Sequence, residues 1–408
     1  MSKLRAFLAG PWRAVAVLGV TQILAWGILF YTPVLMLPRL AADRGFTTTL
    51  AMAGFSLGLL VAGFVARYVG ALIDRYGGHA AMPVGALLGA IGLAGLTQAA
   101  HAVAYFGVWI VLGVAMAASL YDPAFATLGR IFGRRAREPI TALTLAGGFA
   151  STVSWPSTQV LLDVLGWRAT YLVYAALLAG IAAPLLFFAV PRRRAEPELR
   201  PPGAVKLREP VFAPHGSAFL LVAAAFAAYA FVPSGLSAHL LAIFSRHGID
   251  PATVVVIGAL FGPAQVAARI CEFALARQVH PLWVIRFALA VLVLAFVVLA
   301  LFGFSTTTAA AFALLFGAAN GLVTIARGTV PLALFGPEGY GRLIGRIAGP
   351  SLIMQGFAPL VMAFVIEHGS DPLALLLTAG LTAIALVCFL MLRRPATTEA
   401  ASAIGPIV

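Results

Sequence analysis

Hydrophobic residues in this chain come in long runs. Windows of about 20 apolar residues, the length that carries a helix across roughly 30 Å of hydrocarbon, recur along the whole sequence. They fall near residues 14–37, 49–72, 80–100, 104–128, 140–162, 169–190, 217–242, 252–275, 282–303, 307–332, 343–366 and 372–392. Ten-residue alternating segments, the mark of a membrane β-barrel, are missing, so each run is predicted to be an α-helix that satisfies its backbone internally. The first run is too long, and too soon followed by a second, for a cleaved signal peptide.

Polar punctuation organises these runs. The longest hydrophilic stretch, Pro191 to Pro214 (PRRRAEPELRPPGAVKLREPVFAP), divides the spans six and six. Its prolines and charges cannot bury an apolar face, so it reads as a linker. The predicted layout is a six-helix bundle over 1–191, a linker over 192–215, a second bundle over 216–394 and a tail over 395–408. The halves also match each other. A shift of 202 residues sets Arg67 on Arg269 and Arg75 on Arg277, and a shift of 203 sets Gly133 on Gly336, Pro156 on Pro359 and Gly166 on Gly369. Each landmark keeps its span number within its half. The expected fold is therefore an all-α integral membrane protein, twelve transmembrane helices arranged as two pseudo-symmetric six-helix bundles, with a site between the halves near mid-membrane.

Composition agrees. The chain has 408 residues, 62% hydrophobic and 10% charged, with a mean hydropathy of +1.00. That excludes a soluble enzyme. A net charge of +13 would point to nucleic acid in a soluble chain. Here position redirects it. Twenty of the 27 basic residues fall on the side of the linker and termini, and only Arg39, Arg44, Arg168 and Arg246 on the other. The positive-inside bias puts both termini in the cytoplasm, in the inner (plasma) membrane. The basic cuff meets anionic lipid rather than nucleic acid. Three arginines, Arg67, Arg269 and Arg327, lie deeper within spans.

The loop after the second span, Gly70-Ala-Leu-Ile-Asp74-Arg75-Tyr-Gly77, is similar to the signature loop of the major facilitator superfamily, although Gly78 and His79 stand where basic residues are usual. The segment Gly147 to Pro156 has the small residues, but not the order, of that superfamily's antiporter motif. Ala25-Trp26-Gly27 and Arg269 resemble its bacterial monocarboxylate or oxalate/formate carrier branch. The resemblance covers nearly the whole chain and implies a monomeric transporter whose fourth and tenth spans line a central cavity.

Ionisable groups inside a membrane are candidate functional groups. Arg67 is a candidate gating residue or else a rim arginine tying helix ends together: it lies about 10 Å from Asp74 along the helix, within snorkelling reach of the surface. Glu272, a candidate for proton coupling beside Asp122, follows Arg269 by three residues, a spacing that permits an ion pair. Asp122 and Arg327 are deeper. If they face each other they form a gate or coupling pair; if not, Asp122 is an isolated proton carrier. Pro123 loosens the helix beside the carboxylate. The five charges Arg67, Arg269, Arg327, Asp122 and Glu272 leave a surplus of one cation, which suits an anion, and arginine offers a carboxylate a two-pronged fork. Trp26, Tyr31, Tyr121, Asn320 and Gln355 are candidate orienting contacts, and His239 a candidate second proton carrier.

No phosphate-binding glycine loop, metal-ligand cluster or paired cysteine motif is present, so no cofactor, metal or enzymatic activity is expected. The sequence reads best as a proton-coupled secondary transporter of a small organic anion such as a monocarboxylate. Proton-linked efflux of amphipathic drugs or toxic oxyanions is the alternative transport reading, and a non-transporting membrane sensor the alternative from another class.

Overall fold

The computed structural model describes residues 10–192, 216–276 and 278–392. The predicted tail, Arg277 and all of the predicted linker except Arg192 lie outside the described residues. Everything regular among the described residues is helical.

Ten stretches are long and apolar enough to cross a membrane, but one of them, Ala102–Ala189, runs for 88 residues. A straight helix of that length would extend about 130 Å, roughly four bilayer cores. It is broken at Gly133 (φ 57°) and Gly166 (φ 74°), left-handed positions that a side chain would strain. Divided there, it supplies three crossings, and the described chain holds twelve. We number them α1 (Arg13–Arg44), α2 (Thr48–Tyr76), α3 (Gly78–Gln98), α4 (Ala102–Ser119 and Tyr121–Phe132), α5 (Arg137–Gly147 continuing through 150–165), α6 (167–189), α7 (Ser217–Arg246), α8 (Pro251–Leu275), α9 (Pro281–Phe302), α10 (Thr306–Phe335), α11 (Tyr340–His368) and α12 (Asp371–Met391). Arg192, Gly216 and Leu392 mark one face of the assembly, called here the linker side.

Two landmark pairs of the repeat keep their local roles. Gly133 and Gly336, paired by the sequence shift, both end the fourth helix of their half in a left-handed cap (φ 57° and 79°). Pro156 and Pro359 both sit inside helices, α5 and α11.

The halves are joined most intimately along α2 and α11, which run antiparallel. Small residues let the backbones approach, the way helices associate where lipid removes any hydrophobic drive. A Cβ on Gly70 would fall on the Gly341 carbonyl, and one on Gly63 would come within 2.8 Å of the Gly349 carbonyl. On the linker side Asp74 completes the seam, its two carboxylate oxygens accepting the backbone N–H groups of Gly341 (2.9 Å) and Arg342 (2.8 Å) at the start of α11. An acid capping a helix N-terminus satisfies orphan donors and opposes the positive end of the dipole. The departure of the signature loop at Gly78 has a packing reason, since a Cβ there would overlap the Thr127 side chain of α4.

Replacing Gly70 with Val should force α2 and α11 apart and destabilise the chain by about 1–3 kcal/mol, the usual cost of overpacking. A melting curve of the detergent-solubilised variant that overlays the wild type would refute the close seam.

Candidate functional site

The site begins with a proline. In α4, Pro123 has no N–H to give the carbonyl of Ser119 four residues earlier, and the helix breaks at Leu120, which is extended (φ −79°, ψ −160°). The stranded Ser119 carbonyl instead accepts the side-chain N–H of Gln22 from α1 at 2.7 Å. Asp122 thus stands in the first turn of a new helix, partway along the span, rather than continuing an old one. Its carboxylate meets Arg327 of α10: Nε donates to Oδ1 at 3.0 Å and Nη2 to Oδ2 at 2.8 Å. This two-pronged pair joins the halves, with Asp122 only 9% exposed. The conditional reading of these two residues resolves in favour of facing each other.

Arg269 is 4% exposed and Glu272 5%, yet they do not pair. The i,i+3 bridge expected from their spacing is replaced by separate partners. Arg137 of α5 donates Nη2 to Glu272 Oε1 at 3.0 Å and also reaches the carbonyls of Ala276 and Val279, capping the end of α8. Arg269 donates to three neutral acceptors: the Thr144 carbonyl of α5 (2.8 Å), the Gly321 carbonyl of α10 (3.4 Å) and the Gln265 side chain (3.4 Å). Among the described residues no carboxylate lies within 4 Å of it.

Room for this arrangement comes from Gly147 and Gly148. A Cβ on Gly147 would strike the Tyr121 hydroxyl, and one on Gly148 the Arg269 guanidinium. The paired glycines of α5 are therefore a space-making device, a role that their sequence context alone did not disclose.

A cavity with about 410 Å³ of empty space, part of it open to solvent, is lined by Trp26 and Phe30 of α1, small residues of α2, Tyr121 and Asp122 of α4, Arg327 of α10, and Leu352 and Gln355 of α11. Trp26 packs on Tyr121 (centroids 4.9 Å) and on Tyr31 (6.1 Å). Asn320 accepts the Tyr229 hydroxyl at 2.6 Å.

Other candidates stand elsewhere. Arg67 is exposed, its guanidinium 4.5 Å from the Tyr68 ring, which agrees with a snorkelling arginine rather than a gate. The ring of His239 contacts the Pro359 carbonyl (3.1 Å) and does not line the cavity. Gly70 and Asp74 belong to the α2–α11 seam, Gly77 (φ 91°) ends α2, and Arg75 lies exposed over Tyr76 at 5.1 Å.

Hydrogen bonds and ion pairs between the halves, among the described residues, run from the Asp122–Arg327 pair to the linker side: Arg269 to Thr144, Glu272 to Arg137, and Asp74 to α11. On the opposite side each half clamps its first helix to its sixth, through Asp43–Arg168 (2.6 Å) and Arg246–Asp371 (2.5 Å).

Removing one member of a buried pair strands the other, at a cost of about 3–5 kcal/mol when burial is complete. Asp122→Asn should therefore lower the melting temperature, toward the small end of that range because the pair borders the cavity. The double variant Asp122→Asn/Arg327→Gln should recover part of the loss; a double variant less stable than the sum of the singles would contradict the pairing.

No protein-family model matches the chain. Over 109 residues it is 34% identical to human monocarboxylate transporter 11, a stretch that covers 26% of this chain and 23% of that protein. The chain thus matches less than a quarter of that relative's length. Among solved structures, the human organic anion transporter MFSD10 superposes with a TM-score of 0.71 at 16% identity, covering 93% of this chain and 99% of that one. FucP in its outward conformation gives 0.68 at 13% identity, covering 92% and 97%. The proton:xylose symporter XylE gives 0.66 at 9%, covering 97% and 100%. At such identities the likeness speaks for architecture, and the chain, a multi-pass membrane protein of two six-helix halves, has the fold of the major facilitator superfamily transporters.

Proposed function

We propose that the protein is a proton-coupled secondary transporter of a small organic anion, a monocarboxylate or close analogue, working by alternating access. The observation that carries this reading is Arg269: a guanidinium buried between the halves whose hydrogen bonds, among the described residues, go to neutral oxygens. Arg327 is neutralised by Asp122 and Arg137 by Glu272. Arg67, counted in the sequence toward a surplus cation, is exposed, and Arg137 stands in its place in the charge balance, which leaves Arg269 as the guanidinium without a carboxylate partner among the described residues. A bound carboxylate would supply the missing counter-charge and accept two parallel N–H bonds. The names of two similar proteins, an organic anion transporter and a monocarboxylate transporter, support the same class. No specific observation favours the efflux reading over this one.

The Asp122–Arg327 pair supplies the proton coupling. A proton on Asp122 removes the negative charge that engages Arg327, and the freed guanidinium makes the cavity one unit more positive. Anion binding is thereby favoured as pH falls, and proton and monoanion cross together without net charge. Positive-inside reasoning places the linker side in the cytoplasm of an inner (plasma) membrane. The contacts that run from mid-membrane to that side then close the cytoplasmic exit, and their release opens it.

In proteoliposomes, Arg269→Gln and Arg327→Gln should each abolish uptake of a labelled monocarboxylate; wild-type rates in both would sink the anion assignment. Uptake should rise as external pH falls in the wild type, and Asp122→Asn should flatten the profile. An unchanged profile in that variant would exclude Asp122 as the proton carrier.

A further inference from the structure

The first helix is not regular where it meets the cavity. From Trp26 to Tyr31 it widens into a π-helical turn, closed by the backbone N–H of Thr32 donating to the Gly27 carbonyl. That carbonyl accepts two more donors, the hydroxyls of Thr32 (2.9 Å) and of Ser154 from α5 (2.9 Å). Thr32 continues to the Thr158 hydroxyl at 3.2 Å, and Thr158 to Tyr174 of α6 at 2.6 Å. All four hydroxyl-bearing residues are buried. Gly27 packs closely on Ser154: a Cβ there would come within 3.1 Å of Ser154 Cβ, tighter than ordinary contact.

The turn has a geometric consequence. In a regular α-helix, residues five apart point about 140° away from each other. Here Trp26 and Tyr31 have ring centroids 6.1 Å apart, with Phe30 4.9 Å from Trp26 and 5.4 Å from Tyr31. Three consecutive-turn aromatics are gathered into one wall, which Tyr121 extends across α4. Trp26, Phe30 and Tyr121 of this wall line the cavity, and the Tyr121 hydroxyl and the Arg269 guanidinium lie against the adjacent glycines Gly147 and Gly148 of α5. The indole N–H of Trp26 is buried and has no hydrogen-bond partner, a donor available to an oxygen of a bound molecule. Lateral aromatic surface beside a buried guanidinium that has no carboxylate partner among the described residues matches a flat ring carrying one carboxylate better than a short aliphatic acid, which would leave the wall uncovered.

We propose that Ser154, acting with Thr32, is a positioning residue that locks the π-turn of α1, and that the aromatic wall so presented makes the site selective for aryl monocarboxylates. This rests on the anion reading above. Ser154 touches no substrate in this account; its hydroxyl acts through the Gly27 carbonyl on the placement of Trp26 and Tyr31.

The test uses the full chain, purified and labelled with 5-fluorotryptophan, the Trp26 resonance being assigned by its disappearance in Trp26→Phe. Benzoate and acetate are titrated against wild type, Ser154→Ala and Ser154→Thr. The wild type should bind benzoate at least tenfold more tightly than acetate. Ser154→Ala should shift or broaden the Trp26 fluorine signal and reduce that preference to threefold or less, with acetate affinity unchanged; Ser154→Thr, which keeps the hydroxyl, should restore both. An unmoved Trp26 signal in Ser154→Ala overturns the positioning role. Equal wild-type affinity for the two anions overturns the aryl selectivity. Binding of neither anion counts against the anion reading itself, and the fluorine signal then decides the positioning role alone.

Discussion

A guanidinium held in hydrocarbon must be answered by something, because the cost of an isolated charge there runs to several kcal/mol. That constraint shapes the interior. Arg327 is answered by Asp122, and Glu272 by Arg137, each across the boundary between the halves. Arg269 is answered, among the described residues, by neutral oxygens, one of them the Thr144 carbonyl of the opposite half. The same groups that neutralise charge therefore also hold the halves together. Any event that changes the charge of one partner changes the contact between the halves, so binding chemistry and conformation share one set of bonds.

Backbone irregularity follows a related logic. A proline inside a helix strands the carbonyl four residues earlier, and in lipid no water can take it. Gln22 takes the carbonyl freed by Pro123, and Ser234 takes that of Gln355, freed by Pro359, at 2.8 Å. In each case a polar side chain on a neighbouring helix is fixed in place by the defect. The π-turn of α1 is handled likewise by Ser154 and Thr32. Breaks and repairs cluster around the cavity, where the helices α1, α4 and α11 must be shaped rather than straight.

The two halves share a plan without sharing chemistry. Arg67 and Arg269 coincide in the internal repeat, yet one lies exposed over a tyrosine ring and the other is buried between helices. The clamps between first and sixth helices are reversed in sign, with the acid on α1 in one half and on α12 in the other. Fourth helices differ as well: α4 breaks at Leu120, whereas α10 is continuous from Thr306 to Phe335. Repeated topology thus carries a charge distribution that is not repeated, and the difference concentrates positive charge on the second half at mid-membrane.

The sequence by itself determined the spans, their pairing into halves and the residues worth suspecting. Those properties depend on hydrophobic length, the fixed rise of a helix and the positions of Gly and Pro, all of which are local. It identified Asp122 and Arg327 by depth, because two points counted from matched glycines must lie at similar heights. Partner choice was decided by the tertiary structure. Helical spacing put Glu272 beside Arg269, but Arg137, remote in sequence and seemingly one more member of the basic cuff, takes the carboxylate because α5 brings it to the end of α8. The roles of Gly147, Gly148, Ser154 and Thr144 were equally illegible, since each acts on a neighbour in another helix. Which side of a helix faces a cavity, and which charge is left without a counter-charge, are properties of packing, and packing is set by all twelve helices together.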